Sequence, residues 1–280
     1  MTKDVVMIIM PHVYGKVCDF VRIKEIAKTH NVLLVDDASP CAGLKYKDVT
    51  MGLLGDYGIF SMNFKTITSV LGGGIIFSNG AEYEFFTSKM KLYDIKEPKG
   101  VLKKAVVATL SKILYKSNLY YYLRKLRKAQ NLEPINEDIK IEKINSLTVA
   151  IGYKQLEKLE IIQKKRESNS FVLKSILEGN NGFINVVTSS RKDYFTRFII
   201  KLNAPDKIVC YEKEKMKYYL FDKKIQTFDV YTPGHLLLRR NEKLPKTEDL
   251  WRRCLVIPNN PLYDKKDMEY IANCINSYFS

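Results

Sequence analysis

Asp4–His12, DVVMIIMPH, is an apolar run rich in β-branched residues, the pattern of a strand covered on both faces. The period then changes. In DFVRIKEIAKTH (Asp19–His30), Phe20, Ile23, Ile26 and Ala27 fall on one helical face, and Asp19 stands where a first turn is capped. NVLLVDD (Asn31–Asp37) is a second apolar run, ending in two acids. Strand, helix and strand joined this closely form a βαβ unit, which predicts two parallel strands with a right-handed crossover. YGIFSM (Tyr57–Met62) and GGIIFSN (Gly73–Asn79) predict two further strands. The first part of the chain is therefore expected to be α/β, a sheet faced by helices.

The pattern changes after Lys99. VLKKAVVATLSKILYK and NLYYYLRKLRK keep helical apolar spacing, and Lys99–Lys128 holds nine lysines and arginines and no acid. Asn145–Leu177 reads as one long helix, its apolar positions three and four apart. YFTRFIIKL predicts a strand, YEKEKMKYYLFDKK a helix and DMEYIANCINSYF a closing helix. This second part is α+β, and the change of character falls between Tyr93 and Asn145.

Composition narrows the class. A chain of 280 residues buries roughly three-quarters of its unfolded surface and needs no disulfide staples. Its five cysteines (Cys18, Cys41, Cys210, Cys254, Cys274) show no CxxC pair, which predicts reduced thiols in a cytoplasmic protein rather than a zinc site. VVMIIM is too short for a signal peptide or a membrane span, so neither is expected. The net charge of +15 is carried mainly by lysine, and no nucleic-acid module accompanies it. General lysine enrichment, compatible with small anionic substrates, is the reading this favours over nucleic acid.

In parallel α/β sheets, ligands gather at the carboxyl ends of strands. Asp36 and Asp37 close the second strand, Ser61 lies in the third with Lys65 just beyond it, and Gly72–Gly74 precede the fourth. A carboxylate and an amine at adjacent strand ends suit pyridoxal phosphate. The amine holds the aldehyde as a Schiff base, and the carboxylate keeps the ring nitrogen protonated. A hydroxyl such as Ser61 can donate to the phosphate, and the displaced lysine can carry a proton. Structural roles stay open for each. Lys65 can be a solvated lysine, Asp37 a cap or turn residue, Ser61 a partner of a neighbouring carbonyl, and the glycines a turn.

The longer segments resemble the pyridoxal-phosphate sugar aminotransferases of the DegT or StrS family. MPHVYGKVCDFVRIKEIAKTHNVLLVDDASPCAG is similar to that family's strand, HxYG, helix and acid-ended strand. MGLLGDYGIFSMNFKTITSVLGGGIIFSN is similar to its GxxGD…FSF…K…GGG…N block, and SLTVAIGYKQLEKLEIIQKKR to its AAIGxxQLxxL helix. VYTPGH and LVIPNNPLYDKKDMEYIANCI resemble its closing segments. The resemblance implies a partial type I aminotransferase fold, mostly parallel sheet with helices plus a small α+β C-terminal domain. Residues 1–95 would be the C-terminal half of the cofactor-binding large domain, 96–144 a basic helical insertion, and 145–280 the long helix and small domain. It implies pyridoxal 5'-phosphate as cofactor, with Lys65 as the Schiff-base lysine, Asp37 on the pyridine nitrogen and Ser61 on the phosphate. His235 would contact substrate.

The implied activity moves an amino group, usually from glutamate, onto a nucleotide-linked keto-sugar for surface polysaccharide or glycan assembly. The implied assembly is a homodimer. A dehydratase of the same family is disfavoured, because that branch replaces the lysine with histidine. Family members usually begin with about a hundred more residues, by the usual size of that domain, carrying a phosphate-binding turn and an aromatic ring that stacks on the cofactor. Pro40 stands where aminotransferases of the family usually have glutamine, and the asparagine they give to the phosphate across the dimer aligns roughly with Ile141. Two expectations follow. Either the protein is an enzyme, because a complementary N-terminal chain supplies what is missing or because the residual pocket suffices, or the chain is a truncated, non-catalytic relative that binds or assembles. The basic segment 100–128 mixes tyrosine with lysine and arginine, as helices at a membrane surface do, so peripheral contact with the inner membrane surface is a further expectation beside a solvated helical hairpin.

Overall fold

β1 (Met7–Pro11) and β2 (Leu33–Asp37) lie side by side and parallel, in register from Met7 opposite Leu33 to Pro11 opposite Asp37. Between them runs α1 (Phe20–Thr29), whose first turn is capped by Asp19 accepting from the Arg22 N–H at 3.4 Å. A short hairpin, β3 (Lys45–Tyr46) and β4 (Val49–Thr50), leads to β5 (Tyr57–Ser61), which pairs parallel with β2. β6 (Gly74–Ser78) returns antiparallel beside β5, giving the order β1-β2-β5-β6. The predicted βαβ unit and both later strands are thus present, with an antiparallel strand at one edge of the sheet.

The computed structural model describes residues 4–41, 45–46, 48–61, 73–78, 83–91, 100, 102, 106, 143–178, 182–187, 197–238 and 241–280. The chain divides into two units, Met1–Val13 with Cys18–Leu159, and Tyr14–Val17 with Glu160–Ser280. In the first, Met10, Leu34, Val35 and Phe60 are buried in the sheet. The loop before β5 lies so close to it that a Cβ on Gly58 would stand 1.7 Å from the Gly52 carbonyl oxygen, so this position admits only glycine. α2 (Tyr83–Met90) and α3 (Ser146–Leu156) complete this unit, and Asn145 caps α3 by accepting from the Thr148 N–H at 2.8 Å. The basic segment 100–128 lies outside the described residues, apart from residues 100, 102 and 106.

α4 (Leu159–Leu177) follows α3 after a break at Glu157 and Lys158, so the expected single long helix is two. The Lys158 N–H donates to the Gln155 carbonyl at 3.1 Å, a contact three residues back that tightens the turn and ends α3. The second unit's sheet is wholly antiparallel: β7 (Ile184–Val186), β8 (Phe198–Leu202), β9 (Phe228–Asp229) and β10 (Cys254–Ile257), in the order β7-β8-β10-β9. Its helices are α5 (Val209–Asp222), α6 (Gly234–Leu237), α7 (Pro245–Arg253) and α8 (Lys265–Tyr278). β8 sends Phe198, Ile200 and Leu202 into the main core with Leu173, Met216, Leu255 and Ile271, while Ile199 joins Cys254 and Val256 in a smaller cluster. All five cysteines are unbridged. Among the described residues no helix is long and apolar enough to cross a membrane, and no group of three or more His, Cys, Asp or Glu could hold a metal.

Candidate active site

β2 turns its two terminal acids to opposite faces, as successive strand residues must. Asp36 is fully buried. Its Oδ2 accepts from the Gly52 N–H at 2.6 Å and the Leu54 N–H at 3.0 Å, and its Oδ1 lies 2.9 Å from His12 Nε2. Next to it, the Asp56 carboxylate accepts from the Leu34 N–H at 2.8 Å, so the loop before β5 is tied to β2 at two levels.

His12, just past β1 and equally buried, presents Nδ1 to the Cys18 N–H at 3.3 Å and to Cys18 Sγ at 3.4 Å. Burial alone disfavours the imidazolium, but the Asp36 carboxylate and Cys18 outweigh it and raise His12 to about 9. The backbone N–H suits the neutral ring and the carboxylate suits the charged one. The carboxylate, at the shorter distance and with a full charge, is the stronger partner.

Asp37 is placed differently. It is half-buried, and the Ser39 N–H at 3.0 Å is the one donor among the described residues that reaches its carboxylate. Its backbone carbonyl accepts from the His12 N–H at 3.2 Å, which ties the ends of β1 and β2 together. Asp37 pairs with Ile59 of β5, so Ser61, two residues on, shares its face of the sheet at the carboxyl end of the neighbouring strand. Ser61 in turn pairs with Gly74 of β6. Gly73 before it has φ +120, the left-handed region, and a Cβ there would press to 3.3 Å from Ile144 Cδ1. Beyond β2 the chain turns through Pro40 to Cys41, whose thiol is buried against the His12 carbonyl and pushed up by that burial.

Asp37 and Ser61 are therefore brought to adjacent strand ends on one face. Lys65 and Gly72 lie outside the described residues. His235 belongs to the second unit, in the short α6. It is buried, with Nε2 3.2 Å from Glu248 Oε1 and no partner for Nδ1 among the described residues.

The sequence pattern of the DegT/DnrJ/EryC1/StrS aminotransferase family matches residues 1–276. The chain belongs to this family. Over 284 residues it is 27% identical to the GDP-perosamine synthase of Escherichia coli O157:H7, covering 100% of this chain and 67% of the relative. It is 24% identical over 280 residues to the dTDP-3-amino-3,6-dideoxy-alpha-D-galactopyranose transaminase of Aneurinibacillus thermoaerophilus, covering 97% and 65%. This DegT-family chain thus spans about two-thirds of the length of the curated relatives it matches end to end. Among solved structures it is similar to Helicobacter pylori PseC, an aminotransferase involved in the biosynthesis of pseudoaminic acid, with a TM-score of 0.70 at 18% identity over 97% of this chain and 66% of that one. That likeness shows the fold, the type I aminotransferase fold.

Within this DegT-family chain the residue that sequence reasoning passed over is His12. The signal was present: parallel pairing puts Met10 opposite Asp36, so the histidine two residues later returns to the face of Asp36. The acidic pair is one buried structural carboxylate and one carboxylate with a single donor among the described residues.

Proposed function

We propose that this chain binds pyridoxal 5'-phosphate and transfers an amino group, from glutamate as donor, to a keto-sugar carried on a nucleotide. The observation that carries the reading is the placement of Asp37 and Ser61 on one face at the ends of parallel neighbours, with a single described donor on the Asp37 carboxylate. Those two groups fit the two ends of the cofactor: an anion for a protonated ring nitrogen and a hydroxyl for a phosphate. When bound, the cofactor supplies an electron sink for bond breaking at the substrate carbon.

The chain's own residues do the rest. The Asp37 carboxylate favours the proton on the ring nitrogen, because an opposite charge within reach stabilises the charged form. Asp36 and His12 hold the end of β2 still, so that carboxylate is presented in one orientation. Ser61 donates to the phosphate. Lys65 anchors the cofactor and moves the proton at the substrate carbon, a role suited to an amine whose affinity for protons falls on burial. His235, whose buried Nδ1 has no partner among the described residues, is the substrate contact in this reading. The nucleotide-sugar names of the relatives support the substrate class, and a homodimer is the assembly we infer. We place the protein in the cytoplasm, with the basic segment 100–128 as the part that would meet an anionic membrane surface.

Purified protein mixed with pyridoxal 5'-phosphate is expected to gain a visible absorbance band that borohydride bleaches and Lys65→Ala abolishes. Asp37→Ala is expected to lower cofactor retention by on the order of a hundredfold, the effect of losing an adjacent counter-charge. A wild-type protein with no such band, or an Asp37→Ala variant that holds the cofactor equally well, overturns the reading.

A further inference from the structure

The second unit gathers positive charge where its described residues offer no acid. Several of its well-covered cations are paired, Lys217 with Glu214 and Asp229, Lys213 with Asp229, and Arg253 with Asp249 and Asp206, whereas Arg252, elsewhere in the unit, has a buried Nε with no hydrogen-bond partner among the described residues. Arg197, just before β8, faces aromatic rings instead. Its guanidinium carbon lies 5.8 Å from the ring centroids of Tyr14 and Phe228 and 6.0 Å from that of Tyr231. Tyr14 and Tyr231 stack with centroids 5.2 Å apart and planes 7° from parallel, a platform that fixes the arginine in place. Arg166, on α4, has its Nε buried with no hydrogen-bond partner among the described residues. Burial, and then the nearby charge of Arg197, lower Arg166 to about 10.

Two guanidiniums that feel each other's charge, with no carboxylate paired to either among the described residues, destabilise the fold unless an anion joins them. Tyr14 adds a third donor. Its hydroxyl oxygen accepts from the Tyr231 N–H at 2.6 Å, which leaves the hydroxyl proton to be donated elsewhere. Burial pushes this phenol up to about 12, so the proton is in place at neutral pH. Tyr231 is exposed and Arg197 half-buried, so a small ligand can reach the platform from solvent.

We propose that Arg166, Arg197 and Tyr14 form an oxyanion site that holds a phosphate or carboxylate group of a small ligand. Guanidinium forks and a hydroxyl proton match such a group, and a planar fork stacked on aromatic rings is a site lysine cannot imitate. The site deepens the function proposed above and rests on it for the choice of ligands, while its residues all belong to the second unit. Its two sources are the diphosphate of a nucleotide and the carboxylate of an amino-acid donor.

The test is titration calorimetry on the full chain at low ionic strength, with pyrophosphate as one probe and glutarate as the other. Saturable binding of one probe is expected, and which one it is names the source. Arg197→Gln and Arg166→Gln should each weaken it by about tenfold or more, the usual loss for a charge-assisted hydrogen bond. Arg197→Lys should fall most of the way with Arg197→Gln, and Tyr14→Phe should weaken binding by a smaller factor. Lys265→Gln, at an exposed pair with Glu269, should leave it unchanged. If Arg166→Gln does not fold, the two Arg197 variants decide the matter. No saturable binding of either probe, or equal losses in Lys265→Gln and Arg197→Gln, overturns the proposal. Neither probe tests the cofactor chemistry, so failure here leaves the function proposed above standing.

Discussion

Asp36 and Asp37 are chemically alike and one residue apart, and the alternation of β2 gives them different work. Three donors converge on Asp36 in a fully buried place, so its charge is structural. Asp36→Asn keeps the shape but removes the anion that His12 faces. Breaking one side of a buried charged pair costs about 3 kcal/mol, which urea unfolding should show as a lowered midpoint at unchanged slope. Asp37→Asn, at a half-buried position held by one turn contact, should move stability by less than about 0.5 kcal/mol while cofactor retention is lost. The pair also predicts a pH dependence. His12 stands above its ordinary 6.5, at about 9, so its contribution is complete below about 6.5 and is lost as pH rises through about 9. Wild type should therefore lose more stability between pH 7 and pH 10 than Asp36→Asn, in which that linkage is gone. Parallel slopes in the two proteins would count against a charged His12.

At the scale of elements, what was legible depended on length and period. DVVMIIMPH and NVLLVDD declared β1 and β2 because each apolar run is unbroken, but only β2 is buried along its middle as expected; β1 lies at the edge of the sheet with Met7 and Ile9 exposed. DMEYIANCINSYF declared α8, whose Met268, Ile271, Ala272 and Ile275 repeat at helical spacing and are all buried. β10 was not separable: CLVI is four buried residues without alternation, too short for any period to show. α7 was missed for the opposite reason, since PKTEDLWRR buries no residue. The break between α3 and α4 has no proline or glycine to mark it. At the site, the carboxyl-end positions of Asp37 and Ser61 were readable from strand order, whereas the Asp36–His12 bond needed the register between two strands. The Arg197 platform needed contacts between residues far apart in sequence. Caps give a direct check on this scale. Asp264 and Asp267 exchange 2.9 Å hydrogen bonds as a capping box at the start of α8, so Asp264→Ala should cost about 1 kcal/mol in thermal or urea unfolding.

The molecule as a whole carries 46 lysines and arginines against 31 acids, a net +15. A field of that sign says nothing about fold, but it acts on whatever approaches. The ligands inferred here are all anions: a cofactor phosphate, a nucleotide diphosphate, a donor carboxylate. Long-range attraction of this kind raises association rates and is screened over a Debye length of about 10 Å at 0.1 M salt, while close contacts inside a site are screened far less. The consequence can be read in kinetics. Pyridoxal 5'-phosphate binding, followed by stopped-flow absorbance, should show an association rate that falls on the order of tenfold between about 0.02 M and 0.3 M ionic strength. The dissociation rate should change little, because it reports the local contacts of Asp37, Ser61 and Lys65. Exposed pairs such as Lys164 with Glu160 and Lys154 with Glu157 cancel their own fields, so the steering must come from the unpaired excess. An association rate indifferent to salt would mean that this excess points away from the cofactor's path, and would leave the charge as a matter of solubility alone.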